Sequence, residues 1–270
     1  MKSKTINFTK MHGLGNDFVV IDHIKQAFDI KKLAIPELSQ RQMGIGFDQL
    51  LFVQRSIHAD YFCRIFNADG SEARQCGNGL RCVARFIQEE KLNTQASFLL
   101  ETKAGIYPVR IEDYAHIHTT MGVPQIEVPL IQLPKQAGAT LPAMSVISVG
   151  NPHAILKVDT LDMLQAEKMI PSISALSYFP DGVNIGFMQI LNPHHIRLRT
   201  FERGVGETNA CGSNACAAVV AGIQNAWLHS PVKVEYRYGC LLIEWEGNDK
   251  PIQMVGPAER VFNGKINIAE

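Results

Sequence analysis

The run NADGSEARQCGNGLR, residues 67–81, joins two different hydrophobic patterns. Before it, YFCRIF at 61–66 alternates like a strand; after the turn, CGNGLRCVARFIQEEK sets Val83, Phe86 and Ile87 on one helical face. Gly77 and Gly79 leave the first backbone N–H groups of that helix uncovered. Cys76 therefore stands at the positive end of a helix, where a thiolate is favoured over a thiol.

Working outward, IRLRTFERGVGETNACGSNACAAVVAGI repeats this layout 135 positions later, half the chain length. At that one offset Arg64 aligns with Arg199, Phe66 with Phe201, Glu72 with Glu207, Cys76 with Cys211 and Gly77 with Gly212. Gly15-Asn16 likewise meets Gly150-Asn151, and Gln49 meets Asn184. Asn16, Gln49, Asn67 and Cys76 thus recur as Asn151, Asn184, Glu202 and Cys211. Unrelated matches would need different offsets, so the chain reads as an internal duplication. The expected division is residues 1–121 and 122–258, with the tail 259–270 packing on the first half.

Formal charge is zero, with 26 basic and 26 acidic residues. Bulk electrostatics argues against a nucleic-acid coat, and no apolar run approaches a membrane span. The N-terminus lacks an apolar signal region, so a cytoplasmic protein is expected. Its six cysteines are then expected to be reduced. The spacings Cys76/Cys82 and Cys211/Cys216 are too wide for a CxxC knuckle, and no metal is expected.

Strands are expected at 5–9 and 17–22, a short helix from Pro36 to near Gly44, then strands at 49–54 and 60–67 and the Cys76 helix to about 91. Strands at 97–101, 105–112 and 115–120 follow. Residues 122–142, with Pro124, Pro129, Pro134 and Pro142, read as a linker. The second half is expected to repeat the order: strands at 144–149 and 153–158, a helix at 161–169, strands at 183–190 and 195–202, the Cys211 helix to about 227, strands at 232–236, 240–246 and 251–255, and a short tail. Short turns join most strands, which implies an α+β fold of mixed, mainly antiparallel sheet around one central helix per half. The helix ACAAVVAGI has so little polar surface that it should be enclosed on all sides.

A single cysteine at a helix start is usually a small buried hydrophobe. Two at equivalent points of a duplication point to a pair, because a pseudo-twofold axis would bring both helix starts to one cleft. Paired helix N-termini suit a carboxylate. Thiols on opposite faces of the guest can act as acid and base, one removing a proton and the other returning one, which inverts a stereocentre. The helix N–H groups would stabilise the charge that builds on the carboxylate of the carbanion. No pyridoxal-phosphate site is recognisable, and no cofactor is expected.

HGLGNDF, FDQ, NADGSEARQCGNGLRC, GNPH, GVNIGF and ERGVGETNACGS, in this order, resemble the diaminopimelate epimerase family over essentially the whole chain. The resemblance implies two pseudo-symmetric α/β domains, a homodimer, and pyridoxal-phosphate-independent interconversion of LL- and meso-2,6-diaminoheptanedioate for lysine and peptidoglycan synthesis. It makes Cys76 and Cys211 the catalytic pair and assigns Gly77, Asn78, Gly212 and Ser213 to the reacting end of the substrate. Asn16, Gln49, Asn67, Asn151, Asn184, Glu202 and Arg203 match the remaining ligand contacts, and His153 and Glu202 match groups that tune the thiols. Arg203 has the planar fork a distal carboxylate requires. The second motif departs from the usual CGTGAC, reading CGSNAC with Ser213 and Asn214, and Phe262 replaces a tyrosine at the dimer contact.

His12 reads as a turn or packing residue, His194-His195 as a hairpin tip, and Cys63, Cys82, Cys216 and Cys240 as core. Three other functions remain open at this point: a racemase acting on proline, a carboxylate-binding protein without catalysis, and a thiol–disulfide oxidoreductase. Arg203 disfavours the first, retention of both cysteines the second, and the lack of CxxC the third.

Overall fold

The computed structural model describes residues 3–133, 142–162 and 164–269. Two compact units divide the chain: Met1–Thr119 with Gly256–Glu270, and Thr120–Val255.

In the first unit β1 (Ser3–Gly13) turns into β2 (Asn16–Asp22) through Leu14 and Gly15, both at positive φ, the conformation a two-residue hairpin with right-handed strand twist demands. Then follow the five-residue α1 (Ile35–Ser39), β3 (Gln49–Arg55), β4 (Tyr61–Asn67), β5 (Glu72–Ala73) and α2 (Gly77–Glu89). A meander of β6 (Ser97–Thr102), β7 (Gly105–Ile111) and β8 (Ile117–Thr120) completes the continuous part. β2 runs parallel to β3 and β4 parallel to β6; the other pairs are antiparallel. Residues 18–21 and 50–53 are buried on both faces. One face packs on Leu80, Val83 and Ile87 of α2, the other on Ile30, Leu33, Ile35 and Phe47.

The second unit repeats this order. It comprises β9 (Gln125–Ile131), β10 (Met144–Ser148), β11 (Pro152–Val158), α3 (Ala166–Ser174), β12 (Asn184–Asn192) and β13 (His195–Glu202). The rest is β14 (Gly206–Thr208), α4 (Gly212–Gln224), β15 (Val232–Tyr236), β16 (Gly239–Glu244) and β17 (Gln253–Gly256). The parallel pairs are again β11/β12 and β13/β15. Helices α2 and α4 both run 13 residues, displaced by 135 positions. Ala215 to Ala221 are all fully buried, so enclosure by the sheet rather than an amphipathic stripe stabilises α4.

Four local expectations need correction. The expected linker 122–142 contains β9, paired with β10; Pro129 is tolerated because it lies on a strand for which one partner is described. Pro134 of that stretch lies outside the described residues. The expected tail is mostly β18 (Glu259–Ala269), antiparallel to β1, so β18 serves the first unit as β9 serves the second. Helix α1 stops at Ser39 and does not reach Gly44. Helix α3 begins at residue 166, not 161, and continues past Pro171 because Ile173 is drawn into the core.

Candidate active site

The sequence pattern starts β2 with Asn16, starts β3 with Gln49 and ends β4 with Asn67. Gln49 and Asn67 face each other in register, and Gln49 Nε2 donates to Asn67 Oδ1 at 2.9 Å. Asn67 Nδ2 donates in turn to Ser71 Oγ at 3.0 Å. Cys76 is the N-cap of α2; its extended backbone turns Sγ onto the helix start, where the Gly79 N–H donates to it at 3.4 Å. Its thiol reaches Asn16 Oδ1 at 3.9 Å, the same oxygen that accepts from Asn78 Nδ2 at 3.2 Å. Asn16, Gln49, Asn67, Cys76, Gly77 and Asn78 thus gather in the first unit at one helix N-terminus.

Behind them lies an ionic cluster. Lys10 Nζ bonds Asp17 Oδ2 at 2.5 Å and the carbonyl of Gly46. Arg41 spans Asp17 and Asp48, with contacts of 2.9 and 2.8 Å from Nη2. Burial pushes the Asp17 carboxyl up, but Arg41 and Lys10 outweigh it and hold it below the usual range. Burial and then the charge of Asp17 raise Asp48. Asp48 Oδ2 accepts from Asn16 Nδ2 at 2.8 Å and from the Asp17 N–H at 3.1 Å.

In the second unit Cys211 caps α4 in the same extended conformation and lies 3.4 Å from Ser213 Oγ. Burial, then the charge of Glu202, drives the Cys211 thiol well above its ordinary pKa, against the Ser213 hydroxyl and the Asn214 N–H. Glu202 is itself held by Thr208 Oγ1 at 2.6 Å. His153 and Asn184 are neighbours on the parallel strands β11 and β12. Asn184 donates to the Pro152 carbonyl at 3.3 Å and accepts the Arg203 N–H at 3.1 Å. His153 is fully buried, and desolvation lowers its pKa to about 3. The imidazole is therefore neutral, and its 2.9 Å contact with the Asn151 carbonyl oxygen places the proton on Nε2. The exposed Arg203 guanidinium is held by the Asp181 carbonyl at 2.7 Å.

Sequence reasoning gave no role to Asp48, which lies in the quoted FDQ run, or to Arg81, which is fully buried in α2. A signal for Arg81 existed: a cation one turn inside a helix N-terminus opposes the dipole unless it is specifically bonded. Each unit thus presents a thiol at a helix N-terminus, with the Asn16 amide beside it in the first and the Ser213 hydroxyl beside it in the second. Such a site can bind a carboxylate and exchange a proton with it.

The profile of the diaminopimelate epimerase family matches residues 8–127 and 145–261. A protein of Pseudomonas aeruginosa named diaminopimelate epimerase is 43% identical over 274 residues, covering 97% of this chain and 99% of that one. Its namesake in Nitrosomonas europaea is 45% identical over 273 residues, with the same coverage. Among solved structures, a PhzF-family phenazine biosynthesis protein of Bacillus anthracis superposes with a TM-score of 0.75 at 21% identity, covering 97% of this chain and 99% of that one. A hydroxyproline epimerase of Agrobacterium vitis gives a TM-score of 0.72 at 13% identity, covering 97% and 92%. These two likenesses concern the fold alone. Profile match and full-length relatives together make this chain a member of the diaminopimelate epimerase family.

Proposed function

We propose that the protein interconverts LL- and meso-2,6-diaminoheptanedioate, an isomerisation serving lysine and peptidoglycan-precursor synthesis, with its own two thiols as acid and base. The observation that carries this reading is that Cys76 and Cys211 cap equivalent helices of a duplicated fold. The thiolate of one cysteine takes the α-proton. The C–H electron pair passes into the carboxylate, where the N–H groups of Gly77, Asn78, Gly212 and Ser213 stabilise it. The other cysteine, as thiol, protonates the carbon from the far side and is left as thiolate for the reverse reaction. Asn16, Gln49, Asn67, Asn151 and Asn184 position the amino-acid end, Glu202 receives the ammonium group, and Arg203 takes the distal carboxylate. Glu202 favours the protonated form of Cys211, and a substrate ammonium group offsets that bias. His153, being neutral, acts on the site through Asn151 and not through charge.

The same reading makes the protein a cytoplasmic homodimer joined through β18. Val261 and Phe262 are exposed there, with Phe262 packed edge-on against Phe8 at 6.0 Å. Incubation with LL-diaminopimelate in deuterated water tests the reaction, with proline in parallel. Product is expected to carry deuterium at the inverted carbon from the first turnover, while recovered substrate stays mostly unlabelled. Turnover of proline but not diaminopimelate would overturn the substrate; unlabelled product would overturn the two-base mechanism.

A further inference from the structure

We propose that Arg81 and Asp48 are positioning residues, the two ends of a one-directional hydrogen-bond chain that holds Asn16 with its carbonyl toward Cys76. The inference rests on the thiol-pair reading above. Arg81 Nη2 donates to Asn78 Oδ1 at 2.8 Å, Asn78 Nδ2 to Asn16 Oδ1 at 3.2 Å, and Asn16 Nδ2 to Asp48 Oδ2 at 2.8 Å. Arg41 Nη2 holds the other Asp48 oxygen at 2.8 Å.

The direction of this chain is not a choice between equivalent amide rotamers. A guanidinium has five donors and no acceptor, so Asn78 must turn its oxygen to Arg81 and its NH2 to Asn16. At the other end Asp48 Oδ2 meets two donors, Asn16 Nδ2 and the Asp17 N–H, and so remains an acceptor. Reversing either amide would set donor against donor. Arg81 cannot leave, being fully buried and tied to the carbonyls of Pro257 at 3.2 Å and Gly77 at 3.4 Å.

The chain has no copy in the second unit. At the 135-residue offset Arg81 becomes Cys216 and Asp48 becomes Val183. Asn151, the counterpart of Asn16, is instead held by its carbonyl, which accepts from His153 Nε2. Asn16 is thus gripped at both ends of its amide, its NH2 by Asp48 and its oxygen by Asn78, whereas Asn151 is met at its oxygen by His153. For Cys76 the result is an acceptor facing Sγ, which stabilises the thiol and aims its proton.

Peptide-resolved alkylation by iodoacetamide tests this without turnover, because the rate at each cysteine follows its thiolate fraction. Asp48→Ala releases the Asn16 amide. Cys76 should then react about five-fold faster relative to Cys211, the population change expected for one ordinary hydrogen bond. Asp48→Asn removes the charge and can keep its oxygen on Asn16 and the Asp17 N–H, because the exposed Arg41 can turn from the new NH2 and retain Asp17, so its Cys76 rate should stay within about two-fold of wild type. Arg81→Met, freeing the other end, should act in the same direction as Asp48→Ala. Cys63 and Cys82, both buried, must stay unreactive in any variant that is scored. An unchanged Cys76 rate in Asp48→Ala overturns the proposal, as does an Asp48→Asn rate equal to that of Asp48→Ala, which would mean charge and not orientation. A different substrate would leave the alkylation pattern standing, so the two readings fail separately.

Discussion

A methyl group added at Gly186 would meet a side chain that cannot retreat. On β12, a Cβ there would lie 2.3 Å from Asn214 Oδ1 and 2.9 Å from Ile155 Cδ1. Asn214 is fully enclosed, and among the described residues neither Oδ1 nor Nδ2 has a hydrogen-bond partner. The first unit solves the same packing problem with the sizes exchanged. Its equivalents at the 135-residue offset are Leu51 on the strand and Gly79 on the helix, where a Cβ would sit 3.3 Å from Leu51 Cδ1. Gly186→Ala should therefore destabilise by about 2–3 kcal/mol, the upper part of the usual range for an overpacked core. Asn214→Gly alone should be close to neutral: it costs roughly 1 kcal/mol of helix propensity but relieves two unpartnered buried polar atoms at about 1–3 kcal/mol. In the double variant the clash is gone, and stability should return to within about 1 kcal/mol of Asn214→Gly. Urea denaturation of the four proteins yields the coupling energy directly. Thermal unfolding should show Gly186→Ala about 6–10 °C below wild type. A Gly186→Ala protein as stable as wild type, or a double variant no better than Gly186→Ala, would refute the size-exchange argument.

Cys76→Ala and Cys211→Ala should each lower kcat for epimerisation by roughly 10³-fold or more, since each direction needs one acid and one base; a near wild-type rate in either variant would end the two-thiol mechanism. For His153 the folded pKa of about 3 lies below the ordinary imidazole value of 6.5, so the unfolded chain binds the extra proton between those values. Its stabilising effect is therefore complete above pH 6.5 and is lost as pH falls toward 3; from pH 6.5 to 5 wild type should lose about 2 kcal/mol more than His153→Phe, measured by urea titration at each pH. Arg203→Ala should raise KM for diaminopimelate and erase its preference over lysine, and retained preference would remove Arg203 from the distal site. Phe262→Glu should shift sedimentation toward monomer at micromolar concentration, and an unchanged profile would exclude β18 as the dimer contact.

The positions of the two N-cap cysteines were legible without coordinates, and the reason is local. A strand of period two, a glycine-containing turn and a helix of period 3.6 put Cys76 and Cys211 at N-caps, and the 135-residue repeat marked them as equivalent. The same local reading put Asn16, Gln49, Asn67, Asn151 and Asn184 within a residue or two of strand ends. What depended on distant pairing was misread. β18 looks like a tail until β1 supplies its hydrogen bonds, and β9, with Pro129 inside it and Pro124 just before it, looks like a linker until β10 does so. Arg81 and Asp48 are 33 positions apart, and only the packing of α2 against the sheet connects them through two amides whose orientation no sequence encodes. Asn214 likewise reads as one substitution in a familiar motif; the fold shows that it occupies the space Gly186 leaves open. Duplication made the two halves alike in outline because backbone periodicity is written residue by residue. Tertiary packing made them chemically unlike, because hydrogen-bond direction and core volume are shared between residues far apart in the chain.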